Sequence, residues 1–177
     1  MKNFDGVINI NNIPINNLNQ NDYRKNIGIF YNEQDIFDGT IYDNICMGNE
    51  SITPADIMKH AEMLEIKDFI SQLPEGLYTP LQPTGKGLST IIAKKILLLR
   101  AIVHQPELLV LDEPFELAGA ESSKKISKYL IEIPNTTCMV VSGYIPFAKR
   151  ADMIIWLEKG RIKHIGKPET ILPLVIS

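Results

Sequence analysis

"LSTIIAKKILLLRAIVHQPELLVLDEP", Leu88 to Pro114, decides how this chain folds. From Ser89 the pattern predicts a helix running through to Val103. Pro106-Glu107 then turns the chain, and four consecutive apolar residues, Leu108 to Leu111, run into Asp112 and Glu113. A short run that is apolar at every position predicts a central strand of a parallel sheet, covered on both faces. Helix, turn and buried strand in direct succession point to an α/β domain.

The same alternation extends downstream. Residues 121–133 carry an amphipathic helical pattern, and "TTCMVVS" (136–142) predicts a second buried strand. "DMIIWLEKGRIKHIG" (152–166) predicts two strands joined at Lys159-Gly160, with Trp156 in the core, and the tail predicts a short helix stopping near Pro173. Upstream, "DGVININNIPI" (5–15) reads as short strands and a turn, a short helix begins near Asn19, and "IGIFY" (27–31) reads as a buried strand. Phe37, Ile41 and Ile45 recur at a spacing of four, predicting a helix. Thr53-Pro54-Ala55-Asp56 is a helix start, with a capping hydroxyl, proline at the first helical position and an acid at the third. Another helix spans about Lys67 to Leu73, and "GLYTPLQPTGKG" is irregular. A mainly helical block at 41–100 therefore interrupts the strands.

The chain has 177 residues, 45% of them hydrophobic, and a net charge of −3. That is one domain's worth of chain with an ordinary core, and nothing in the charge points to nucleic acid or an anionic membrane. No apolar run reaches the length of a membrane helix. Cys46 and Cys138 match no metal or redox spacing, so they read as small buried hydrophobes. His60, His104 and His164 have no carboxylate or cysteine at ligand spacing and read as surface or packed side chains. Lys94, Lys95 and Arg100 read as the solvated face and C-terminal charge of their helix.

Asp112 and Glu113 carry the chemistry. An aspartate ending a buried parallel strand lies at the sheet's carboxyl edge, where α/β ligands bind. There it can hold magnesium, and the following glutamate can orient or deprotonate a water. Alternatively the two acids simply end the strand and cap the next helix. Gly85-Lys86 is not the close of a phosphate-binding loop. The first glycine of Gly-x-x-x-x-Gly-Lys-Ser/Thr would fall on Pro80, and Gly87 follows the lysine.

Leu88–Pro114, together with "IGIFYNEQDIFDGTIYDNICMGN" and "RADMIIWLEKGRIKHIGKPETIL", resembles the nucleotide-binding domain of exporter-type ATP-binding-cassette (ABC) transporters. The interval between the signature and the Walker B strand is kept, as are Arg100-Ala101 and Pro106-Glu107. Phe37, Gly39, Thr40, Ile41, Asn44 and Ile45 supply the Phe-x-Gly-Thr-Ile-x-x-Asn-Ile of the exporter form. The resemblance implies an α/β fold with a partial RecA-like parallel sheet and an inserted helical subdomain. It implies ATP and magnesium as cofactors of the full family domain, Asp112 as the magnesium ligand and Glu113 as the general base.

Departures from the family pattern fall on its contact points. Asn32 stands at the glutamine-loop position, with Gln34 two residues late. Leu88, Ser89 and Thr90 stand where Leu-Ser-Gly begins the signature, and Thr90-Ile91-Ile92 replaces Gly-Gly-Gln. Those glycines let a backbone approach a γ-phosphate at a helix N-terminus, and a β-branched run blocks that approach. Glu116-Leu117-Ala118-Gly119 replaces Ser-Ala-Leu-Asp, and Gly143 stands at the switch-histidine position. In this family the phosphate-binding (Walker A) loop and the aromatic residue that stacks on adenine belong upstream of residue 1.

The resemblance thus implies the C-terminal portion of a cassette. Residues 1–31 would be the remnant of the N-terminal core strands, and 32–100 the glutamine-loop and helical subdomain. Residues 101–177 would be the core, with the Walker B strand, the switch strand and the closing hairpin. The implied partners are an ABC transmembrane domain, received around Ile36, Phe37, Ile41 and Tyr42, and a second nucleotide-binding domain. The implied location is the cytoplasmic side of the cell membrane. Without the phosphate-loop strand, open sheet edges predict self-association, and productive nucleotide binding is not expected. The alternative is a non-catalytic regulatory or structural module that kept the cassette shape.

Overall fold

The computed structural model describes residues 5–31, 35–116 and 119–176. The chain opens with a small hairpin, β1 (Asn9–Ile10) against β2 (Ile13–Pro14), turning at Asn11 and Asn12, both at positive φ. A short helix α1 (Gln20–Lys25) leads into β3 (Ile27–Phe30). Next come β4 (Gly39–Thr40) and α2 (Ile41–Cys46). Thr40 caps α2 with a reciprocal box: its hydroxyl accepts from the Asp43 amide at 3.0 Å, and the Asp43 carboxylate accepts from the Thr40 amide at 2.9 Å. The expected four-residue rhythm from Phe37 holds only for Ile41 and Ile45. The cap at Thr40 starts the helix three residues after Phe37, which lies outside it.

The helical block continues with α3 (Pro54–Met63), opened by the Thr53–Asp56 box as the sequence predicts, and α4 (Lys67–Gln72). The irregular stretch contains a two-residue strand, β5 (Pro80–Leu81), pairing with β4. Then comes α5 (Thr90–Ile102), with Ser89 as its cap. Ile96, Leu98, Leu99 and Ile102 of α5 are fully buried, so this helix fills the space between the sheet and α2 and α3. Each such side chain contributes about 1.5–3 kcal/mol by leaving water.

Strand β6 (Leu108–Asp112) lies between β3 and β7 (Thr137–Val141), all three parallel, and α6 (Ala120–Glu132) makes the crossover. The central position of β6 is the one expected, but only one face of the sheet is covered. Gly28, Phe30, Leu109 and Leu111 are buried on the face toward the core. On the other face, the cross-strand row Ile29–Val110–Met139 is open, with Ile29 at 47% and Met139 at 55% exposure. Strand β7 is therefore not a buried strand: it forms an edge, and Thr137, Met139 and Val141 face solvent because no described element packs over them.

A short helix α7 (Ile145–Ala148) precedes the closing hairpin, β8 (Ile154–Glu158) and β9 (Arg161–Gly166). Its two-residue turn, Lys159 and Gly160, has positive φ at both positions, the mirror-image turn that matches strand twist. Ile155 faces Ile165 and Leu157 faces Ile162 on an exposed aliphatic surface. Trp156 is half-buried rather than in the core, flanked by the His164 ring at 5.3 Å and the Lys163 ammonium at 4.3 Å. The last helix, α8 (Pro168–Ile176), runs through Pro173 instead of stopping there. Proline removes only its own i−4 bond, and the buried Ile171 and Leu172 hold the turn before it. Among the described residues no helix is long and apolar enough to cross a membrane.

Two of the three basic residues of α5 are not solvated. Lys95 is 5% exposed, with its ammonium 3.8 Å from Glu65 and 3.3 Å from the Ser122 hydroxyl. Arg100 turns inward onto Asn44. Each lies on a side of α5 covered by other elements, so the helix presents its charges to polar partners rather than to water. The histidines behave as predicted. His60 bonds the Tyr129 hydroxyl, the Asn49 amide lies 3.2 Å from His104, and His164 is exposed. Burial lowers the pKa of both His60 and His104. Both cysteines are free; Cys46 is buried and Cys138 half-buried, with burial pushing the Cys138 thiol up to about 11.

Candidate functional site

The parallel strands bring Asp112, Glu113 and Gly143 to one edge of the sheet. Asp112 ends β6 opposite Val141 of β7, and the Glu113 amide donates to the Val141 carbonyl at 2.8 Å. Glu113 has φ +47, the left-handed region that a non-glycine residue occupies at a cost. This turns the chain sharply off the strand and leaves consecutive carboxylates at the rim. Both residues are half-buried, and among the described residues neither carboxylate has a hydrogen-bonding or ionic partner. The carboxyl end of the strands is where open α/β sheets take ligands.

Three aromatic rings that the sequence reading did not single out hold this edge in place. Phe115 packs against Tyr144 at 5.0 Å and Phe147 at 4.9 Å between ring centroids. The loop after β6 is thereby fixed to the loop after β7, and the Ser123 hydroxyl adds a 2.8 Å bond to the Phe115 carbonyl. The available signal was positional: Phe115 follows the acid pair closely, and Tyr144 adjoins Gly143. At Gly143 a Cβ would meet nothing within 4 Å, so there is open space beside it.

Leu88, Ser89 and Thr90 lie elsewhere, at the start of α5. The Ser89 hydroxyl accepts from the Ile92 amide at 3.3 Å and is thus engaged as a cap. Thr90 and Ile91 are exposed, so the β-branched run occupies the helix's first-turn surface, and Leu88 is half-buried against the core. No hydrogen bond joins this group to Asp112 or Glu113 among the described residues. Asn32, with Gln34, and Leu117 and Ala118 lie outside the described residues.

The patch expected around Tyr42 is smaller than predicted. Ile36 and Ile41 are core residues at 3% and 0% exposure, and only Phe37 and Tyr42 reach the surface. Tyr78, which the sequence reading left aside, joins them with its ring 5.7 Å from Tyr42.

Among the described residues no three histidine, cysteine or acidic side chains converge as a metal site. The edge offers one strand-end carboxylate for a magnesium ion and a neighbouring carboxylate for a water. No Gly-x-x-x-x-Gly-Lys-Ser/Thr stretch occurs in the 177 residues to cradle phosphates. The residues present therefore fit the metal half of a magnesium–nucleotide complex and not the triphosphate half.

A parallel sheet backed by helices, with an Asp-Glu pair ending its central strand, defines the class of α/β nucleotide-binding domains. The chain belongs to the ABC transporter family: the family model described as "ABC transporter" matches residues 1–116. It is 32% identical over 94% of its length to the uncharacterized ABC transporter ATP-binding protein YknU of Bacillus subtilis. It is also 32% identical, over 96% of its length, to the ATP-dependent lipid A-core flippase of Saccharophagus degradans. The chain spans 29% of the length of each of these curated relatives. A solved structure of a bacterial Atm1-family ABC exporter with ATP bound superposes with a TM-score of 0.87 at 24% identity, covering 97% of this chain and 30% of the other, which establishes the fold.

Proposed function

We propose that this chain is the C-terminal part of the ATP-binding domain of an ABC exporter, and that by itself it does not turn over ATP. The observation that carries this reading is the placement of Asp112 and Glu113 at the carboxyl end of the central parallel strand of a family member. In a complete domain Asp112 would hold the magnesium ion and Glu113 would orient or deprotonate the attacking water. Asn32, Leu88, Ser89, Thr90 and Gly143 stand at further nucleotide-contact positions of the family pattern. In this reading residues 1–31 are the remnant of the N-terminal core strands, 32–100 the glutamine-loop and helical subdomain, and 101–177 the RecA-like core. Phe37, Tyr42 and Tyr78 form the surface for a transmembrane domain, on the cytoplasmic side of the membrane.

Phosphate release from ATP is the test. The 177-residue chain is expected to give background release, unchanged by Glu113→Gln. Turnover that Glu113→Gln abolishes would refute the inactivity. The second reading, a non-catalytic interaction module, is favoured by Gly143 and by Thr90-Ile91-Ile92 at the contact positions. A full-length chain containing a phosphate-binding loop and membrane helices supports the first reading over the second.

We further propose that the isolated chain self-associates. Its support is the open edge of β7 in a segment without a charged residue from Ile133 to Ala148, where edge strands usually carry lysine or proline for protection. Light scattering of the concentrated chain is expected to give at least a dimer, and Met139→Lys is expected to shift it toward monomer. A stable monomer at high concentration contradicts this.

A further inference from the structure

Asn44 is completely buried, yet every hydrogen-bonding position of its side chain is matched. The amide nitrogen donates to the Phe37 and Thr40 carbonyls, each at 3.0 Å. The amide oxygen accepts from the Phe37 amide at 3.0 Å and from the Arg100 guanidinium at 2.9 Å. A second guanidinium nitrogen of Arg100 donates to the Asn44 main-chain carbonyl at 2.6 Å, and the third reaches the Asp35 carbonyl at 3.4 Å. The cation also lies 5.5 Å from the centre of the Phe37 ring. Only one orientation of the Asn44 amide satisfies two carbonyls, one N–H and one cation together, so the arrangement is fully specified.

These contacts join three parts of the chain: α2 through Asn44, the last full turn of α5 through Arg100, and the segment 35–40. That segment follows the carboxyl end of β3, the same sheet edge that carries Asp112 and Glu113, because the strands are parallel. The segment is also tied by the Thr84 amide donating to the Ile36 carbonyl at 2.8 Å and, at its far end, by the pairing of Gly39 and Thr40 with β5. Apart from these polar ties, Phe37 and Asp38 are exposed and have no strand partner.

We infer that Arg100 and Asn44 are a positioning pair, clamping residues 35–40 onto α5 so that this rim of the candidate site moves with the helix whose N-terminus carries Ser89. The clamp touches no reacting atom. It stands on geometry alone, independent of whether the edge binds nucleotide. A planar fork is required, since Arg100 serves an amide oxygen and two main-chain carbonyls at once, and a lysine ammonium cannot span them.

Hydrogen exchange read segment by segment tests the clamp in the full 177-residue chain. The reporter is the Phe37 amide, whose partner is the Asn44 side chain, and the reference is the amides of Leu109 to Leu111 in β6. Arg100→Lys keeps the charge and most of the stem. It is expected to speed Phe37 exchange by about tenfold or more while the β6 amides stay within about twofold. Asn44→Asp keeps the Oδ1 acceptor but replaces the donating nitrogen by an oxygen that faces the Phe37 and Thr40 carbonyls, with the same local result expected. The inference is overturned if Phe37 exchange in Arg100→Lys stays within about twofold of the unsubstituted chain. It is equally overturned if the β6 amides accelerate as much as Phe37, which would mark both residues as general contributors to stability. Should Asn44→Asp fail to fold, the Arg100→Lys comparison decides alone.

Discussion

Gly28→Val is expected to yield no folded protein. Gly28 sits in β3 directly beneath α5, and a Cβ at this position would lie 2.1 Å from the Ala101 carbonyl oxygen, 2.8 Å from a Leu109 methyl and 2.9 Å from the Pro106 ring. The Leu109 side chain can shift, but the Ala101 oxygen belongs to a helix held by fully buried residues on either side. Relief requires α5 to lift off the sheet, opening the packing of Ile96, Leu98, Leu99 and Ile102 together. Even Gly28→Ala is expected to cost about 3 kcal/mol or more, the upper range for overpacking, against a total stability of about 5–15 kcal/mol for a domain. Valine adds two further carbons to the same clash. Gly143→Ala and Gly119→Ala, where an added carbon meets nothing within 4 Å, are expected to stay within about 0.5 kcal/mol. Soluble yield and thermal melting followed by circular dichroism compare all four. A Gly28→Ala variant that melts with the unsubstituted chain contradicts this packing.

Glu65→Ala is the second large effect. Its carboxylate meets the Lys125 ammonium at 2.6 Å and the buried Lys95 ammonium at 3.8 Å, and it accepts from Ser122. Hydrogen bonds from Lys125 and then Ser122 lower the Glu65 pKa, while burial lowers that of Lys95. The Lys125 arm is solvent-exposed and worth about 1 kcal/mol or less. The Lys95 arm decides the outcome. With its side chain 6% exposed, loss of Glu65 leaves a buried ammonium facing one hydroxyl. We expect a loss of about 2–3 kcal/mol, less than the roughly 3–5 kcal/mol typical of a broken buried pair because Glu65 itself is 31% exposed. Adding Lys95→Met should restore most of it, since the uncompensated charge is then gone and an unbranched apolar chain fills the same channel. Alanine suits the test because it meets the positive φ of Glu65 with the same Cβ. Because the folded pKa of Glu65 is lowered, its contribution is present above the ordinary carboxylate range and is lost as pH falls through the folded value. A double-mutant cycle by urea unfolding measures the coupling. A double variant as unstable as Glu65→Ala contradicts the buried-charge explanation.

What could be read from the sequence was local. Capping boxes at Thr53, the Lys159-Gly160 turn and the apolar run at Leu108 each depend on a few neighbouring residues, and each appears where it was read. Misreadings came where a distant part of the chain decides. Lys95 and Arg100 read as solvated because charges on a helix usually are. Their partners, Glu65 and Asn44, lie 30 and 56 positions away in sequence, too far for helical spacing to reveal. Strand β7 read as buried because its residues are apolar, but burial needs a covering layer, and no described element supplies one over Met139 and Val141. Phe37 read as helical from its spacing, yet the Thr40 cap sets the start of α2 and Asn44 ties Phe37's main chain back. At the candidate site the acid pair and Gly143 were legible as positions in a family pattern. The aromatic contacts of Phe115, Tyr144 and Phe147 that hold their loops together depend on the fold and were not.

The central claim is that this chain keeps the cassette fold and its strand-end acids without a clamp for the triphosphate. Calorimetric titration of the folded 177-residue chain with magnesium–ATP tests it most directly. No saturable heat is expected at millimolar nucleotide, in the chain as it stands or in Asp112→Asn. Saturable binding that Asp112→Asn abolishes would contradict the claim.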